Sequence, residues 1–259
     1  MLGKCKIINM QVNVINQDNS LEQVLLLAQE NSGAYVCVSN VHMCMEVFDS
    51  SAFAEIVNNA DLVIPDGKPL SWAQKLLGHN NASQVRGQDI MNSLCASSRE
   101  QPLNIGFYGG SSEALLNTVK EKLVASYPGI NITYAFSPPF RLLTEEEDDA
   151  VVQGINSSDV NVLFVGIGCP KQERWMAEHK AQLNCVMLGV GAAYDFIAGS
   201  KKHAPRWMQK IGMEWLFRLC SEPKRLWRRY FSTNPRFIWH FGKQLLKHKL
   251  SRKGLVERD

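Results

Sequence analysis

Hydrophobic and polar positions follow two different periods along the first 200 residues of the chain. Short apolar runs are typical of buried strands, and apolar residues three and four apart are typical of helices. The pattern predicts strands at residues 34–39, 61–64, 103–108, 131–135, 160–166 and 185–189. It predicts helices at residues 21–29, 41–58, 111–125, 145–156 and 170–180. Alternating strands and helices favour an α/β fold, a Rossmann-like parallel sheet flanked by helices, with ligands at the carboxyl ends of the strands.

The strand pattern stops after Gly199. The remaining sequence is predicted to be helical, in three pieces divided by Pro205, Pro223 and Pro235. We therefore predict two parts, an α/β core at residues 1–200 and a basic helical C-terminal appendage at residues 201–259. Within the core, Thr144 and the acidic residues after it are typical of a helix cap rather than of a metal site.

Charge is distributed very unevenly between these two parts. Residues 201–259 contain 16 of the 28 Lys and Arg and 4 of the 25 Asp and Glu, a local net charge of +12. The whole chain carries +3, so the first 200 residues carry −9. Four of the six Trp also lie in the appendage. Basic residues mixed with Trp favour a polyanionic partner, above all an anionic membrane surface, although a solvated helical face would show the same charge.

Composition and cysteine spacing indicate a folded cytoplasmic protein. Hydrophobic residues make up 45% of the chain and charged residues 20%, and the seven Cys are scattered without a Cys-x-x-Cys pair. This spacing favours reduced thiols and predicts no zinc site. The N-terminus turns polar before a signal-peptide core can form, and the apolar runs are shorter than the ~20 residues that span a bilayer. We therefore expect any membrane contact to be peripheral.

Two glycine loops follow predicted strands, and the first of them begins a predicted helix. Gly166-x-Gly168 is followed by Pro170, which suits the first turn of a helix, where free N–H groups can bind phosphate. The third glycine of a dinucleotide fingerprint is replaced by Lys171. The loop at residues 189–194 departs from the fingerprint in the same way. Both loops therefore disfavour a nicotinamide-dependent oxidoreductase, which remains an alternative suggested by the fold pattern alone.

Polar side chains and glycines follow several of the predicted strands. Asn40 and Asp66 each end a strand, Gly109 and Gly110 end another, and Asp195 follows the last. The carboxyl ends of parallel strands meet at one edge of a sheet, so these residues are expected to converge there. Pro-Asp-Gly at residues 65–67 is also good turn chemistry, but the other polar positions favour a functional site.

The order of these segments resembles one known family. The segments that occur in the order seen in the WecG/TagA/CpsF glycosyltransferases are Asn40 and residues 65–67, 86–89, 106–110, 166–173, 191–196, 204–207, 212–218 and 222–225. The resemblance covers residues 5 to 232. Two positions depart from the pattern of some members: His203 stands where Arg is frequent, and residues 38–40 read Val-Ser-Asn instead of Thr-x-Asn, with Ser39 as the nearest hydroxyl.

The resemblance implies an inverting transfer from a UDP-sugar to a sugar carried on a polyprenyl diphosphate, in bacterial surface polysaccharide biosynthesis. It implies a catalytic core and an appendage that completes the active site at the inner face of the cytoplasmic membrane. Asp66 would be the general base and Asn40 would position the reacting groups. The implied donor-binding residues are Gly67, Arg86, Gly109, Gly110, Gly168, Lys171, Gln172, Glu173 and Asp195. The implied diphosphate-binding residues are Arg218, Arg225 and Arg228.

The residue types suit that chemistry. One ionised carboxylate beside an acceptor hydroxyl takes its proton, and UDP needs only stabilisation of its growing charge. The chain has no Asp-x-Asp pair for a metal, so permanent Arg cations would replace one. We therefore expect no metal and no cofactor. His42 is a possible second base, but the apolar helix face around it favours a structural role.

A third possibility is an adaptor without catalytic activity. Its basic appendage would bind a membrane or a nucleic acid. We expect an anionic membrane surface and no nucleic acid as partner, and a homo-oligomer remains open.

Overall fold

The computed structural model describes residues 2–256. The strands are β1 Lys4–Ile7, β2 Met10–Asn13, β3 Ala34–Ser39, β4 Leu62–Pro65, β5 Asn104–Gly109, β6 Asn131–Phe136, β7 Val162–Gly166 and β8 Val186–Gly189. The helices of the body are α1 Gln17–Gln29, α2 Val41–Asp49, α3 Ser51–Asn58, α4 Lys68–Leu76, α5 Gly87–Ser97, α6 Glu113–Ser126, α7 Glu145–Ser157, α8 Lys171–His179 and α9 Ala193–Ala198. The appendage contains α10 Arg206–Lys210, α11 Glu214–Ser221 and α12 Pro223–Val256.

Six strands form one parallel sheet in the order β4-β3-β8-β7-β5-β6, which confirms the predicted fold class and all six predicted strands. In the register of β3 and β4, Ser39 lies beside Pro65. The residues that follow these two strands, Asn40 and Asp66, therefore leave the sheet side by side. This register is what places two predicted site residues next to each other.

Alternate side chains of each strand point to opposite faces of the sheet and form two cores. In β3, Tyr35 and Cys37 belong to one core, and Ala34 and Val36 belong to the other. The first core is completed by side chains from α2, α3, α4, α7 and α8, and the second by side chains from α1, α5, α6 and α9. Helices thus cover both faces, as a parallel sheet requires.

The structure adds elements that the sequence pattern did not predict. An antiparallel hairpin of β1 and β2 precedes the sheet, and its Asn13 side chain accepts a hydrogen bond from the Val63 N–H at 2.8 Å. Helices α4 and α5 occupy a stretch without a prediction. The single helix predicted at residues 41–58 is two helices, because the Ser50 side chain caps α3 by accepting from the Phe53 N–H. The predicted cap of α7 is confirmed as a capping box of Thr144 and Glu147.

The predicted break of the appendage at Pro235 was wrong. Helix α12 runs through Pro235 without interruption. Leu226, Thr233, Phe237 and Phe241 are all buried at helical spacing on both sides of the proline. This continuous packing compensates for the backbone hydrogen bond that Pro235 cannot donate.

The appendage packs against the body along α12. Phe237 and Phe241 belong to the same core as residues of α2 and β3. At the other end of the contact, the Gln244 side chain accepts from the Ile8 N–H and donates to the Lys6 carbonyl, both at 2.7 Å. The division of the chain at residue 200 into two domains stays a prediction, and its last three residues lie outside the described ones. Among residues 2–256, no helix is both long and apolar enough to cross a bilayer.

Candidate functional site

A cavity of about 650 Å³ lies between the carboxyl ends of β3 and β4 and the appendage. Its lining comes from the start of α2, the loop between β4 and α4, one side of α4, and residues of α11 and α12. Asn40, Asp66 and Gly67 line it from the body, and Arg218 lines it from the appendage. The structure therefore brings both predicted catalytic residues together with one predicted diphosphate-binding residue.

Asp66 is fixed by its backbone and presents a carboxylate of unusual pKa. Its N–H donates to the Ser39 carbonyl at 2.8 Å, and its carbonyl accepts from Gln84 Nε2 at 2.6 Å. Burial and the nearby Glu214 carboxylate raise the pKa of Asp66 to about 7. The Gly87 N–H, which donates to Oδ1 at 3.3 Å, and the cations of Arg218 and Arg86 lower this pKa but do not outweigh burial. A carboxylate that titrates near neutrality is suited to accept a proton.

Asn40 and Gly67 each begin a helix at the edge of the cavity. The Asn40 side-chain oxygen accepts from the Met43 N–H at 3.3 Å and caps α2. Gly67 is the N-cap residue of α4. Ser39 is fully buried, and its hydroxyl contacts Met43 Sδ and the Cys37 carbonyl. Ser39 therefore does not line the cavity.

Arg86 connects the body to the appendage. Its Nε lies 3.3 Å from Glu214 Oε2 on α11, and its Nη1 lies 3.3 Å from Asp89 Oδ2. Glu214 lines the cavity, whereas Arg86 does not. The pair thus places the negative charge of Glu214 near Asp66 and the positive charge of Arg86 beside Glu214.

The three predicted diphosphate-binding arginines have different surroundings. Arg218 lines the cavity and lies over the Phe196 ring. Arg225 Nε donates to Glu222 Oε2 at 2.6 Å, and the side chain is half exposed. Arg228 is exposed and lies over the Trp227 ring. Only Arg218 of the three lines the cavity with Asp66.

The predicted donor loops meet at the ends of β5 and β7. The Gly110 N–H donates to the Gly166 carbonyl at 3.1 Å. Gly109 has a φ of +122°, and a Cβ there would lie 2.6 Å from the Gly166 backbone, so this position requires glycine. Gly168, with a φ of +87°, donates its N–H to Gln172 Oε1 at 3.2 Å.

Charged groups surround these loops. Glu173 is fully buried, and burial raises its pKa to about 7. The hydrogen bond that Gln172 Nε2 donates to it at 2.8 Å lowers this pKa but is outweighed by burial. Lys171 is exposed at the start of α8. Asp195 binds Lys201 Nζ at 2.8 Å, just before the appendage helices. These residues do not line the cavity, so the structure arranges the predicted site as two groups on one edge of the sheet.

Comparison with known proteins shows the family of the chain. The profile of the Glycosyl transferase WecG/TagA/CpsF family matches residues 5–251. The chain belongs to this family. Among its relatives, the N-acetylglucosaminyldiphosphoundecaprenol N-acetyl-beta-D-mannosaminyltransferase of Bacillus spizizenii is 27% identical over 221 residues, which are 85% of this chain and 81% of the relative. The protein of the same name from Staphylococcus aureus strain MW2 is 27% identical over 222 residues, 85% and 84% of the two chains.

In this glycosyltransferase, His42 also lines the cavity. Burial and the positive charge of Arg229 lower the pKa of His42 to about 4. A hydrogen bond with the Cys169 backbone raises this pKa but is outweighed. A neutral imidazole with so low a pKa is a weak base. With a pKa of about 7, Asp66 is the stronger base of the two.

Sequence reasoning missed Arg229 and helix α4. Arg229 lines the cavity and is spaced three, four and eight residues from the buried Leu226, Thr233 and Phe237. That helical spacing was a signal that Arg229, unlike its neighbour Arg228, faces the protein. Trp72, which lines the cavity from α4, was missed because no helix was predicted there.

Proposed function

We propose that this protein transfers a sugar from a UDP-sugar to a sugar carried on a polyprenyl diphosphate, with inversion at the anomeric carbon, in bacterial surface polysaccharide synthesis. The observation that carries the proposal is the Asp66 carboxylate, with a pKa of about 7, in a cavity that Arg218 also lines. The names of the relatives support N-acetylmannosamine as the transferred sugar and N-acetylglucosaminyldiphosphoundecaprenol as the acceptor. Family membership favours this function over an oxidoreductase or an adaptor.

In the proposed reaction, ionised Asp66 accepts the proton of the attacking acceptor hydroxyl. The hydroxyl oxygen forms a bond to the anomeric carbon on the face opposite UDP. The bond between that carbon and the UDP oxygen breaks, and UDP leaves with the electron pair. Asn40, beside Asp66 at the end of the neighbouring strand, would hold the reacting hydroxyl.

Charge stabilisation is proposed to come from the protein. The loops of Gly109, Gly110 and Gly168 offer close backbone approach for the donor diphosphate. Arg218 and, from the appendage surface, Arg225 and Arg228 would bind diphosphate as forked permanent cations. The donor residues Arg86, Lys171, Gln172, Glu173 and Asp195 stay part of this proposal.

The reaction is proposed to occur with the appendage at the inner face of the cytoplasmic membrane. Exposed aromatic side chains accompany the basic residues there, among them Trp207, Trp227 and Trp239. Aromatic rings and cations together suit the interface of an anionic bilayer. This placement would bring a membrane-embedded acceptor to the cavity.

The test is UDP release from a panel of UDP-sugars, with N-acetylglucosaminyl diphosphate on a polyprenyl chain as acceptor. We expect Asp66→Asn to lower transfer by about 10²- to 10⁴-fold, because the hydroxyl loses its base. Binding of UDP, measured by calorimetry, should stay unchanged. Asp159→Asn is the matched control, because Asp159 is exposed at a loop and its φ of 50° suits Asn. Full activity of Asp66→Asn would refute the assignment of the base.

A further inference from the structure

Most of the cavity wall is apolar. Trp72 and Leu76 line it from α4, and Phe231 and Ile238 line it from α12. These side chains are 43%, 53%, 70% and 70% exposed, although large apolar groups are usually buried. A contiguous apolar surface of this kind marks a site that binds a protein, a membrane or an apolar ligand.

Two arginines bring unused hydrogen-bond donors to the same cavity. Arg218 and Arg229 both line it, and the Nε of each is buried without a hydrogen-bond partner among the described residues. His42 Nδ1 is likewise buried without a hydrogen-bond partner among the described residues, with Glu46 Oε1 3.7 Å away, and the charge of Arg229 lowers the pKa of this imidazole. A guanidinium with free N–H groups binds a diphosphate through paired hydrogen bonds. The cavity therefore combines an anion site with an apolar wall.

We propose that this cavity encloses the lipid end of the acceptor, with the diphosphate on Arg229 and Arg218 and the first isoprenoid units between α4 and α12. This inference rests on the proposed function and specifies how the acceptor is recognised. The charge of the two arginines matches the diphosphate, the apolar wall matches the isoprenoid chain, and Asp66 lies where the attached sugar would react. A volume of about 650 Å³ lies within the ~300–1,000 Å³ typical of ligand pockets.

A lipid enclosed by the protein differs from a lipid held only by the membrane. If the protein itself encloses the first isoprenoid units, the lipid contributes to binding without any bilayer. Burial of one methylene group improves affinity about fourfold, so one or two enclosed isoprenoid units improve it at least tenfold.

The experiment compares acceptors that carry the same sugar diphosphate on a methyl, geranyl or farnesyl group, in solution without vesicles or detergent micelles. We expect the KM to fall at least tenfold from methyl to farnesyl, while kcat changes little. Farnesyl diphosphate should also quench the tryptophan fluorescence in a saturable way, because Trp72 and Trp215 line the cavity.

Variants separate the two halves of the proposed site. Leu76→Gln should abolish the preference for longer chains, whereas Val124→Gln, a similarly exposed residue on α6 outside the cavity, should keep it. Arg229→Gln should raise the KM for all three acceptors alike and keep the chain-length preference. Arg99→Gln, an exposed arginine beyond α5, is its control. Circular dichroism of each variant checks that the fold is retained.

The outcomes distinguish this inference from the proposed function. Transfer to the full-length acceptor in vesicles, with a KM in solution that does not depend on chain length, would overturn the lipid pocket and leave the function standing. Absence of transfer to every acceptor would overturn the proposed function and, with it, the lipid pocket. A wild-type dimer in solution that Leu76→Gln dissociates, without any chain-length effect, would assign the apolar wall to a second copy of the chain.

Discussion

At the scale of single residues, the pKa of Asp66 is set by groups from both parts of the chain. Gly87 donates its backbone N–H to the carboxylate, and Glu214 on α11 opposes its ionisation. Its pKa of about 7 means that the base is half ionised at neutral pH. Because only the ionised form accepts a proton, the rate should fall about tenfold for each pH unit below 7.

Removal of the Glu214 charge should shift this pH dependence. Glu214→Gln deletes a charge that raises the pKa of Asp66, and this change favours the ionised form. We therefore expect the acid limb of the profile of kcat/KM against pH to move to lower pH, so that the variant retains more of its maximal activity at pH 6. Steady-state kinetics between pH 5 and 9 measure the shift.

Asp89→Asn is the control for this experiment. Asp89 also pairs with Arg86 but is not among the charges that shift the pKa of Asp66. An acid limb that stays at the same pH in Glu214→Gln would show that another group controls the profile.

At the scale of elements, periodicity predicted the sheet well and the helices around the site poorly. Apart from the edge strand β6, the strands of the parallel sheet are buried on both faces, so their apolar runs are unambiguous. Helix α4 has only nine residues and carries Pro69 in its first turn, so the stretch of helical pattern there is short. The predicted break at Pro235 was wrong for a different reason. Tertiary packing on both sides of Pro235 outweighs the unfavourable effect of a proline within a helix.

The site was predictable only where the chain itself places residues at strand ends. Asn40 and Asp66 could be found in this way, because strand ends of a parallel sheet share one edge. The choice among the arginines of α12 could not be predicted, since it depends on how α12 is rotated against α2. That rotation is set by Phe237 and Phe241, which share a core with the body.

Helix α12 should therefore contribute to the stability of the whole protein. Phe237→Ala removes a ring that is 5% exposed, and such changes typically cost about 3–5 kcal/mol. We expect one cooperative unfolding transition at a lower denaturant concentration, measured by circular dichroism. Trp239→Ala, two residues away and 62% exposed, should change the free energy of unfolding far less. An early loss of helix signal alone, with the remainder unchanged, would mean that the appendage unfolds independently.

At the scale of the whole molecule, the acidic body and the basic appendage meet at the cavity. The appendage carries a net charge of +12 over residues 201–259, and the remaining chain carries −9. Exposed aromatic side chains, including Trp227 and Trp239, stand among the cations of the appendage. The same segment supplies Arg218 and Arg229 to the cavity. Membrane attachment and completion of the proposed acceptor site are thus expected of one segment.

This dual role predicts how the protein binds vesicles. Each Lys or Arg close to an anionic bilayer contributes about 1 kcal/mol, and this attraction is screened within about 8 Å at physiological salt and about 3 Å at 1 M. We expect strong sedimentation with vesicles that contain anionic lipid, weak sedimentation with neutral vesicles, and release as salt rises. Trp227→Ala with Trp239→Ala should weaken the salt-resistant part of the binding, because the indoles insert at the interface. Competing RNA should displace little protein; preferential binding to RNA would contradict the membrane role and, with it, the arrangement that brings a lipid-linked acceptor to Asp66.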